Sequence, residues 1–301
     1  MTPHTITAAA SGTWTLGDLT VNRLGFGAMR LPQTGEAFAT DAVPRDREQA
    51  IGVLRRALEL GVNHIDTAAF YFSPLRSANE LINSALAPYP DDLVITTKVG
   101  PGRGPAGDWI PHASPDRLRG QVEENLRQLG RDHLDVVNLR VVGEDSIAER
   151  FGALADLRTA GLIRHLGLSN VRPGHLAEAQ AIAPVVCVQN RYGIGADPEQ
   201  DTLLRACGDQ GIAFVPFYAI AGAGGQAGLT GGESAEVRAV ARARGASPAQ
   251  IRLAWTLARG PHVLAIPGTG DPDHLVANVA AGALRLSPAE LASLDSAHAA
   301  G

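Results

Sequence analysis

A repeated alternation of short apolar runs with longer amphipathic stretches constrains the fold more than any other feature. Eight runs are rich in Val, Ile and Leu, and each contains or is directly followed by a polar residue or a glycine. They lack strict apolar–polar alternation, which is typical of strands that are buried on both faces. The runs cover residues 24–29, 62–68, 93–99, 134–140, 164–170, 185–190, 212–217 and 263–268.

The stretches between these runs have the signals of helices. The segments 45–61 and 114–130 place apolar residues at helical spacing and end in glycine, and the second begins with Ser-Pro, a common helix start. Eight strands that alternate with helices predict a parallel sheet closed into a (β/α)8 TIM barrel. We expect residues 1–301 to form a single α/β barrel domain, because no segment has the composition of a linker.

Two segments depart from the repeat. Residues 13–25 alternate apolar and polar side chains around Gly17-Asp18, which predicts a β-hairpin. We expect this N-terminal β-hairpin to plug the barrel from below. Residues 218–233 form a long Gly-rich loop after the seventh run, and loops of that length are often functional.

Composition excludes several classes of protein. The 45% hydrophobic and 19% charged residues suit a large core, and the net charge of −5 without a basic run argues against nucleic acid as a partner. Cys187 and Cys207 lack metal-ligand spacing, so no metal is expected. No apolar run reaches the ~18 residues of a membrane span, and the N-terminus lacks signal-peptide features. We therefore expect a cytoplasmic protein that does not bind membranes.

Three titratable groups coincide with predicted strand ends. The second run ends near Asp66, with Tyr71 five residues later, and the third contains Lys98, the only lysine of the chain. In this barrel the chemistry lies at the carboxyl ends of the strands. An ammonium beside a phenol lowers the phenol pKa, so we expect Lys98, held by Asp66, to tune Tyr71 as a proton donor to a carbonyl. The alternative is that Asp66 and Lys98 form an ordinary ion pair.

At these residues the chain resembles the aldo-keto reductases. The matching motifs are GVNHIDTAAFY, LVITTKVG, GLIRHLGLSN, VCVQNRY and AIPGTGDPDHLVAN, in family order over residues 20–295. The resemblance implies a (β/α)8 barrel, NADPH, reduction of a small-molecule aldehyde or ketone, and a monomer. It makes Tyr71 the general acid, with Asp66 and Lys98 tuning it.

The resemblance also implies a cofactor site. Ser169, Asn170 and Gln189 would hold the nicotinamide carboxamide, and Phe217 would stack under the nicotinamide ring. The other cofactor-binding residues that it implies lie in two loops: Tyr218, Ala219, Ile220 and Gly222 near the pyrophosphate, and Gly268, Thr269, Gly270, His274 and Asn278 near the adenosine.

The chain departs from the family where the fourth strand ends. Most members have a histidine there, whereas this chain has Arg140, as in the branch that contains bacterial pyridoxal reductases. An arginine stays protonated and cannot shuttle a proton, but it can orient a carbonyl or bind a phosphate or carboxylate of the substrate. We expect Arg140 to lower the pKa of Tyr71 further. The alternative is a structural ion pair with Glu144 or Asp145.

Two further departures concern the cofactor and the pocket mouth. The Lys and Arg that usually contact the 2′-phosphate correspond to Gly268 and His274; we expect NADPH, with NADH left open. Phe72 replaces a glycine that many relatives have after the tyrosine, and it should narrow the pocket. Trp109 is expected either to line the substrate pocket or only to cover apolar surface.

Three functions remain open from the sequence. The first is NADPH-dependent reduction of an aldehyde or ketone, with a pyridoxal-like or anionic substrate. The second is a specialised natural-product biosynthetic reductase, suggested by Phe72 and the Gly-rich loop. The third is a cofactor-binding regulatory barrel with little turnover, against which the Asp66, Lys98 and Tyr71 set argues.

Overall fold

The structure is a computed structural model that describes residues 6–35, 38, 42–104, 108–143, 146–220 and 233–299. Its strands are β1 Thr13–Leu16, β2 Leu19–Asn22, β3 Phe26–Gly27, β4 His64–Asp66, β5 Phe72–Ser73, β6 Arg76–Ser77, β7 Val94–Val99, β8 Gly102–Arg103, β9 Trp109–Ile110, β10 Leu134–Arg140, β11 Ile163–Ser169, β12 Val185–Gln189 and β13 Ala213–Phe214. Its α-helices are α1 Arg47–Glu59, α2 Ala78–Leu86, α3 Pro115–Leu129, α4 Ala148–Thr159, α5 Pro173–Gln180, α6 Glu199–Asp209, α7 Ala235–Arg244, α8 Pro248–Ala258, α9 Pro272–Ala281 and α10 Pro288–Ala299. Short 3-10 helices cover Ala8–Ser11 and Ala28–Arg30.

Seven parallel strands form the central sheet in the order β13-β12-β11-β10-β7-β4-β3. The eighth predicted strand closes the ring, because Val263 bridges Phe214 and Ala265 bridges Leu24, both in parallel. This segment makes isolated bridges and not a continuous ladder. Pro267 follows it and has no N–H to extend the ladder. The (β/α)8 barrel predicted from the sequence is therefore confirmed, with a short eighth strand.

The N-terminal hairpin closes the amino end of the barrel. β1 pairs antiparallel with β2 across Gly17 and Asp18. Leu16 and Val21 are fully buried, and they pack in one cluster with side chains from the barrel strands, including Val94. These buried side chains close the amino end of the barrel interior to water. The predicted plug is present at the predicted place.

The helices surround the sheet and begin and end as the sequence signals predict. α3 begins with Pro115 after Ser114 and ends at Gly130, which has φ 64° in the left-handed region that glycine adopts without a steric penalty. α8 likewise begins with Pro248, and the Ser247 side chain accepts a hydrogen bond from the Gln250 N–H. In the described part of the chain, no helix combines the length and the apolar character of a membrane span.

Candidate active site

A buried ion pair lies at the carboxyl ends of two neighbouring strands. β4 ends at Asp66 and pairs in parallel with β7, which carries Lys98. The Lys98 Nζ donates to Asp66 Oδ1 at 2.6 Å, to Asp66 Oδ2 at 2.8 Å and to the Thr67 carbonyl at 3.1 Å. The Gln189 Nε2, at the end of β12, donates to Asp66 Oδ2 at 2.6 Å. The barrel thus fixes both the ammonium and the carboxylate that holds it.

Tyr71 lies beside this pair, in the turn that follows β4. The Lys98 Nζ is 5.0 Å from the centroid of the Tyr71 ring, and the tyrosine is buried. Its backbone N–H donates to the Ala68 carbonyl, and its carbonyl accepts from the Ala78 N–H. Both backbone polar groups of Tyr71 are therefore fixed. The predicted neighbourhood of Asp66, Tyr71 and Lys98 is therefore present.

The expected net lowering of the Tyr71 pKa is wrong, although Lys98 and Arg140 each lower it as expected. Burial raises the pKa of the phenol, and this outweighs the Lys98 and Arg140 charges, which lower it; Asp66 raises it further. For Lys98, burial lowers the pKa, but Asp66 and Tyr71 together raise it more strongly, so the net pKa is raised. At neutral pH the site therefore holds a protonated phenol beside a protonated amine.

Arg140 ends β10 and points toward the predicted cofactor residues. Its Nη1 donates to the Ser169 Oγ at 3.1 Å, and its guanidinium carbon is 5.1 Å from the centroid of the Phe217 ring. It makes no ion pair with any residue that the structure describes. The alternative partners Glu144 and Asp145 lie outside the described residues.

The three residues expected to hold the carboxamide lie together at the ends of β11 and β12. Asn170 has φ 60° and donates through Nδ2 to the Val141 carbonyl at 2.8 Å, while its N–H donates to the Gln189 carbonyl. The Gln189 Oε1 is buried without a hydrogen-bond partner, and Ser169 Oγ can still donate its proton after accepting from Arg140. One free acceptor and one free donor match the NH2 and C=O of a carboxamide.

The loop after the seventh strand presents two aromatic rings. Phe217 and Tyr218 contact each other edge to face, with centroids 5.1 Å apart, and Tyr218 has φ 63°. Burial raises the pKa of Tyr218. Ala219 is buried and Ile220 is half-buried, whereas Gly222 lies outside the described residues, as does most of the Gly-rich loop.

The turn between the eighth strand and α9 is built around Thr269 and Asp271. Thr269 Oγ1 accepts from the Asp271 N–H at 3.0 Å, and Asp271 Oδ1 accepts from the Asp273 and His274 N–H groups at 2.8 and 3.1 Å. The remaining residues expected here are placed as follows: Gly268 is half-buried, Gly270 and Asn278 are buried, and the His274 side chain is exposed.

Two aromatic side chains contact the Tyr71 ring. Phe38 lies 5.8 Å from the Tyr71 ring and 5.2 Å from Trp109, and Phe70 lies 5.2 Å from Tyr71 and 5.8 Å from Trp109. Trp109 thus belongs to a wall next to Tyr71, although 47% of it is exposed. Sequence reasoning missed Phe38, because no local pattern marks its contact with Tyr71.

A cation covers Phe72 at the edge of this wall. The Arg103 guanidinium carbon is 4.4 Å from the Phe72 ring centroid, and its Nη1 donates to the Phe72 carbonyl at 2.7 Å. Phe72 is therefore fixed under Arg103, as a cation–π contact favours.

Sequence reasoning also missed Arg30 and Arg45, which lie near the turn that contains Gly270. Arg45 donates to the carbonyls of Arg30 and Gly270, both at 3.3 Å. The sequence signal for Arg30 is its position directly after the first apolar run, residues 24–29. Nothing in the sequence around Arg45 indicates its contact with a turn 225 residues away.

Comparison with known proteins identifies relatives over nearly the whole chain. The model of the "Aldo/keto reductase family" matches residues 23–299. The chain is 47% identical to pyridoxine 4-dehydrogenase of Escherichia coli K12 over 293 residues, which are 95% of this chain and 98% of that protein. It is 38% identical to an uncharacterised oxidoreductase of Schizosaccharomyces pombe, over 96% of this chain and 91% of that protein.

Solved structures have the same fold. A thermostable aldo-keto reductase bound to the inhibitor epalrestat superposes with a TM-score of 0.77 at 31% identity, covering 93% of this chain and 97% of that one. An aldo/keto reductase of Klebsiella pneumoniae in complex with NADP and acetate superposes with a TM-score of 0.76 at 28% identity, covering 92% and 91% of the two chains.

Proposed function

The chain belongs to the aldo/keto reductase family, and from this premise we propose that it reduces pyridoxal, or a similar planar aldehyde, to the alcohol with NADPH. As a member of this family, it is an NADP(H)-dependent oxidoreductase that acts on small-molecule carbonyl groups. The finer assignment of pyridoxal and of each residue's role is our proposal. Its first support is the 47% identity to a pyridoxine 4-dehydrogenase.

The observation that carries the proposal is the buried cluster of Asp66, Lys98 and Tyr71. In the proposed reaction the Tyr71 phenol donates its proton to the carbonyl oxygen as negative charge develops there. The Lys98 ammonium stabilises the phenolate that remains, and Asp66 keeps the ammonium charged and in place, as the 2.6 Å contact supports. NADPH, when bound, supplies the hydride that reduces the carbonyl carbon.

The cofactor's nicotinamide end is proposed to bind at the ends of β11 and β12. The unpartnered Gln189 Oε1 would accept from the carboxamide NH2, and Ser169 and Asn170 would contact its oxygen. Phe217 would stack against the ring. The remaining cofactor residues that we propose line the two loops described above: Tyr218, Ala219, Ile220, Gly222, Gly268, Thr269, Gly270, His274 and Asn278.

Arg140 is proposed to orient the substrate and not to transfer a proton. Its planar guanidinium presents several N–H donors. Among the described residues, the guanidinium forms one hydrogen bond, to the Ser169 Oγ. Pyridoxal carries a ring hydroxyl next to its aldehyde. A guanidinium can therefore donate to the hydroxyl oxygen and to the aldehyde oxygen at once. A histidine at this position could not provide two parallel donors.

The aromatic wall supports a planar substrate. Phe38 and Phe70 each contact both Tyr71 and Trp109, at ring-centroid distances between 5.2 and 5.8 Å. Rings in this arrangement favour offset or edge-to-face contact with another aromatic ring. We propose that Trp109 and Phe72 line the substrate pocket and select flat rings over aliphatic aldehydes.

The test follows NADPH absorbance with pyridoxal and with aliphatic aldehydes of similar size. We expect kcat/KM for pyridoxal to exceed that for the aliphatic aldehydes by at least about 10-fold, the value of one aromatic contact of ~1.4 kcal/mol. Trp109→Ala should lower this ratio, while the exposed Val43→Ala should not. No NADPH consumption with any carbonyl, despite NADPH binding, would contradict the proposal and favour a cofactor-binding regulatory barrel.

A specialised natural-product reductase is the second candidate. Its support is the fixed position of Phe72 under Arg103, because a bulky ring that we propose to line the pocket would then be held in place. For this candidate, ring-bearing ketones should be reduced faster than pyridoxal in the same assay.

The two cysteines bear on localisation. Cys187 and Cys207 are both buried free thiols, which suits the reducing cytoplasm. We propose a cytoplasmic monomer without nucleic-acid or membrane partners. Gel filtration with light scattering would test the monomer, for which a single peak at the mass of one chain is expected.

A further inference from the structure

The Arg45 guanidinium lies against the main chain of Arg30 and of Gly270 at the carboxyl end of the barrel, between β3 and the turn before α9. Arg45 Nε donates to the Arg30 carbonyl, and Arg45 Nη1 donates to the Gly270 carbonyl, both at 3.3 Å. Both side chains are half-buried. Within the described residues neither forms an ion pair, and the Arg30 Nη1 is buried without a hydrogen-bond partner.

Without an anion, the two partly buried cations Arg30 and Arg45 lower the stability of the fold. Burial lowers the pKa of the Arg30 guanidinium, and the charge of Arg45 lowers it further. Burial also lowers the pKa of Arg45, and the nearby Asp271 carboxylate raises it. Unpaired cations held together and partly removed from water are destabilising unless an anion binds them, so the pair indicates an anion site.

The neighbouring turn, residues 268–271, contains no Lys or Arg of its own. A side chain at position 268 would place its Cβ 2.5 Å from the Gly27 carbonyl oxygen, so the close approach of two strand ends excludes a lysine there without a backbone shift. The His274 side chain is exposed. Asp271 adds a negative charge, and its Oδ1 occupies the first N–H groups of α9.

Arg45 stands where it can supply that charge. A Cβ at Gly270 would lie 2.1 Å from the Arg45 Cζ, so the glycine leaves the space that the guanidinium fills. Arginine has five N–H donors, and Arg45 uses two of them on described partners. Three donors remain for an anion.

We infer that Arg45, next to Arg30, binds the 2′-phosphate of NADPH and takes the role of the cations that positions 268 and 274 lack. The ligand class is a phosphate monoester on the ribose of an adenine nucleotide. This inference rests on the proposed function, because it deepens the cofactor site of the same reductase. Arg45 then decides the choice between NADPH and NADH.

The experiment measures binding and not turnover. Calorimetric titration with NADP+ and with NAD+ compares the wild type with Arg45→Ala, and adenosine 2′,5′-bisphosphate against AMP repeats the comparison without the nicotinamide. We expect Arg45→Ala to weaken NADP+ and the bisphosphate by about 10- to 100-fold, as for a lost charged hydrogen-bond pair. Affinity for NAD+ and AMP should change by less than about twofold, since neither carries the phosphate that Arg45 contacts.

Two control variants separate charge from structure. Arg47→Ala removes an exposed arginine of the same segment, whose Nη1 pairs with Glu48, and it should leave all affinities unchanged. Arg45→Lys keeps the charge and should retain part of the preference for NADP+, although a lysine cannot bind bidentately.

Two results would overturn the inference. They are an equal loss of NADP+ and NAD+ affinity in Arg45→Ala, and no loss of either. If the wild type reduces pyridoxal with NADPH but Arg45→Ala keeps its preference for NADP+, the inference fails while the proposed function stands. A wild type that binds neither nucleotide contradicts both.

Discussion

The two ends of the barrel differ in how their buried groups are satisfied. At the amino end, Leu16 and Val21 of the plug are fully buried among apolar strand residues. At the carboxyl end, the barrel buries Lys98 and Asp66, and it leaves Gln189 Oε1 and Arg30 Nη1 without partners. The plug is held by apolar packing, although the Trp14 Nε1 is also buried there without a partner. The carboxyl end instead buries an ion pair beside polar atoms that a ligand can satisfy.

Backbone strain follows the same division. Three described residues other than glycine have φ between 60° and 68°: Phe38, Asn170 and Tyr218. Phe38 contacts Tyr71, Asn170 follows β11, and Tyr218 follows the seventh strand, so all three lie around the carboxyl end. Strain of this kind costs about 1–3 kcal/mol at each site and is found at functional sites. Backbone strain at residues other than glycine is therefore found at the carboxyl end in the described part of the chain.

Breaking the ion pair at the carboxyl end should have the largest combined effect on stability and activity. Lys98→Met leaves the Asp66 carboxylate buried and unpaired, which should lower the free energy of unfolding by about 3–5 kcal/mol. It also removes the charge that stabilises the phenolate, so kcat/KM should fall by at least about 100-fold. Urea unfolding and NADPH oxidation with pyridoxal measure the two effects.

A double variant provides the control. Asp66→Asn together with Lys98→Met removes both charges, so it should recover much of the stability but none of the activity. Recovery of activity in the double variant would contradict the role given to Lys98.

A cavity at the amino end should affect stability alone. Leu16→Ala removes a fully buried side chain, and such changes lower the free energy of unfolding by about 2–5 kcal/mol. At 25 °C kcat should stay unchanged, because the plug lies at the opposite end from Tyr71. A drop in kcat comparable to that of Lys98→Met would show that the two ends are not independent.

His64 lies inside the barrel between the two ends and predicts a dependence of stability on pH. Burial lowers its pKa from 6.5 to about 4, so the folded chain holds it neutral. Its contribution is fully present above pH 6.5 and is lost as the pH falls toward 4, by a total of about 3 kcal/mol. The free energy of unfolding of the wild type and of His64→Asn, measured at pH 7 and pH 4.5, should converge at the lower pH.

The smallest expected effect is a shift in the alkaline limb of the reduction rate. In the proposed mechanism reduction needs protonated Tyr71. The value of kcat/KM should then fall as the pH rises through the pKa of Tyr71, which is raised by burial and lowered by Lys98 and Arg140. Arg140→Ala should therefore move this limb to higher pH, whereas Arg140→Lys should not. A limb that moves to lower pH in Arg140→Ala would contradict the electrostatic role.

The repeat and the catalytic neighbourhood were predictable from the sequence, because both follow local rules. Buried strands appear as apolar runs, and parallel strands bring their carboxyl ends to one edge, so the proximity of Asp66 and Lys98 follows from the sequence alone. The short eighth strand could not be anticipated, since its run is as apolar as the others. In the folded chain this segment makes only isolated bridges to its two neighbours.

What the sequence missed depends on distant contacts and on burial. Phe38 and Arg45 reach the site from segments without a motif, and only the folded chain shows what they touch. The predicted net direction of the Tyr71 pKa shift is wrong, because a sequence indicates which charges lie near the phenol but not how far the phenol is removed from water. Here desolvation has the largest effect on the Tyr71 pKa. Nearby charge is visible in a pattern of residues, whereas removal from water is not.

The central claim is that Tyr71 donates the proton at the carboxyl end. Its most direct test compares Tyr71→Phe with the wild type, by the rate of pyridoxal reduction under NADPH saturation and by NADP+ affinity in the same preparation. We expect Tyr71→Phe to lower the rate of reduction by at least about 1,000-fold, within the range for a general acid, with NADP+ affinity unchanged. A variant that keeps more than about a tenth of the wild-type rate would contradict it, because the proton would then come from another group.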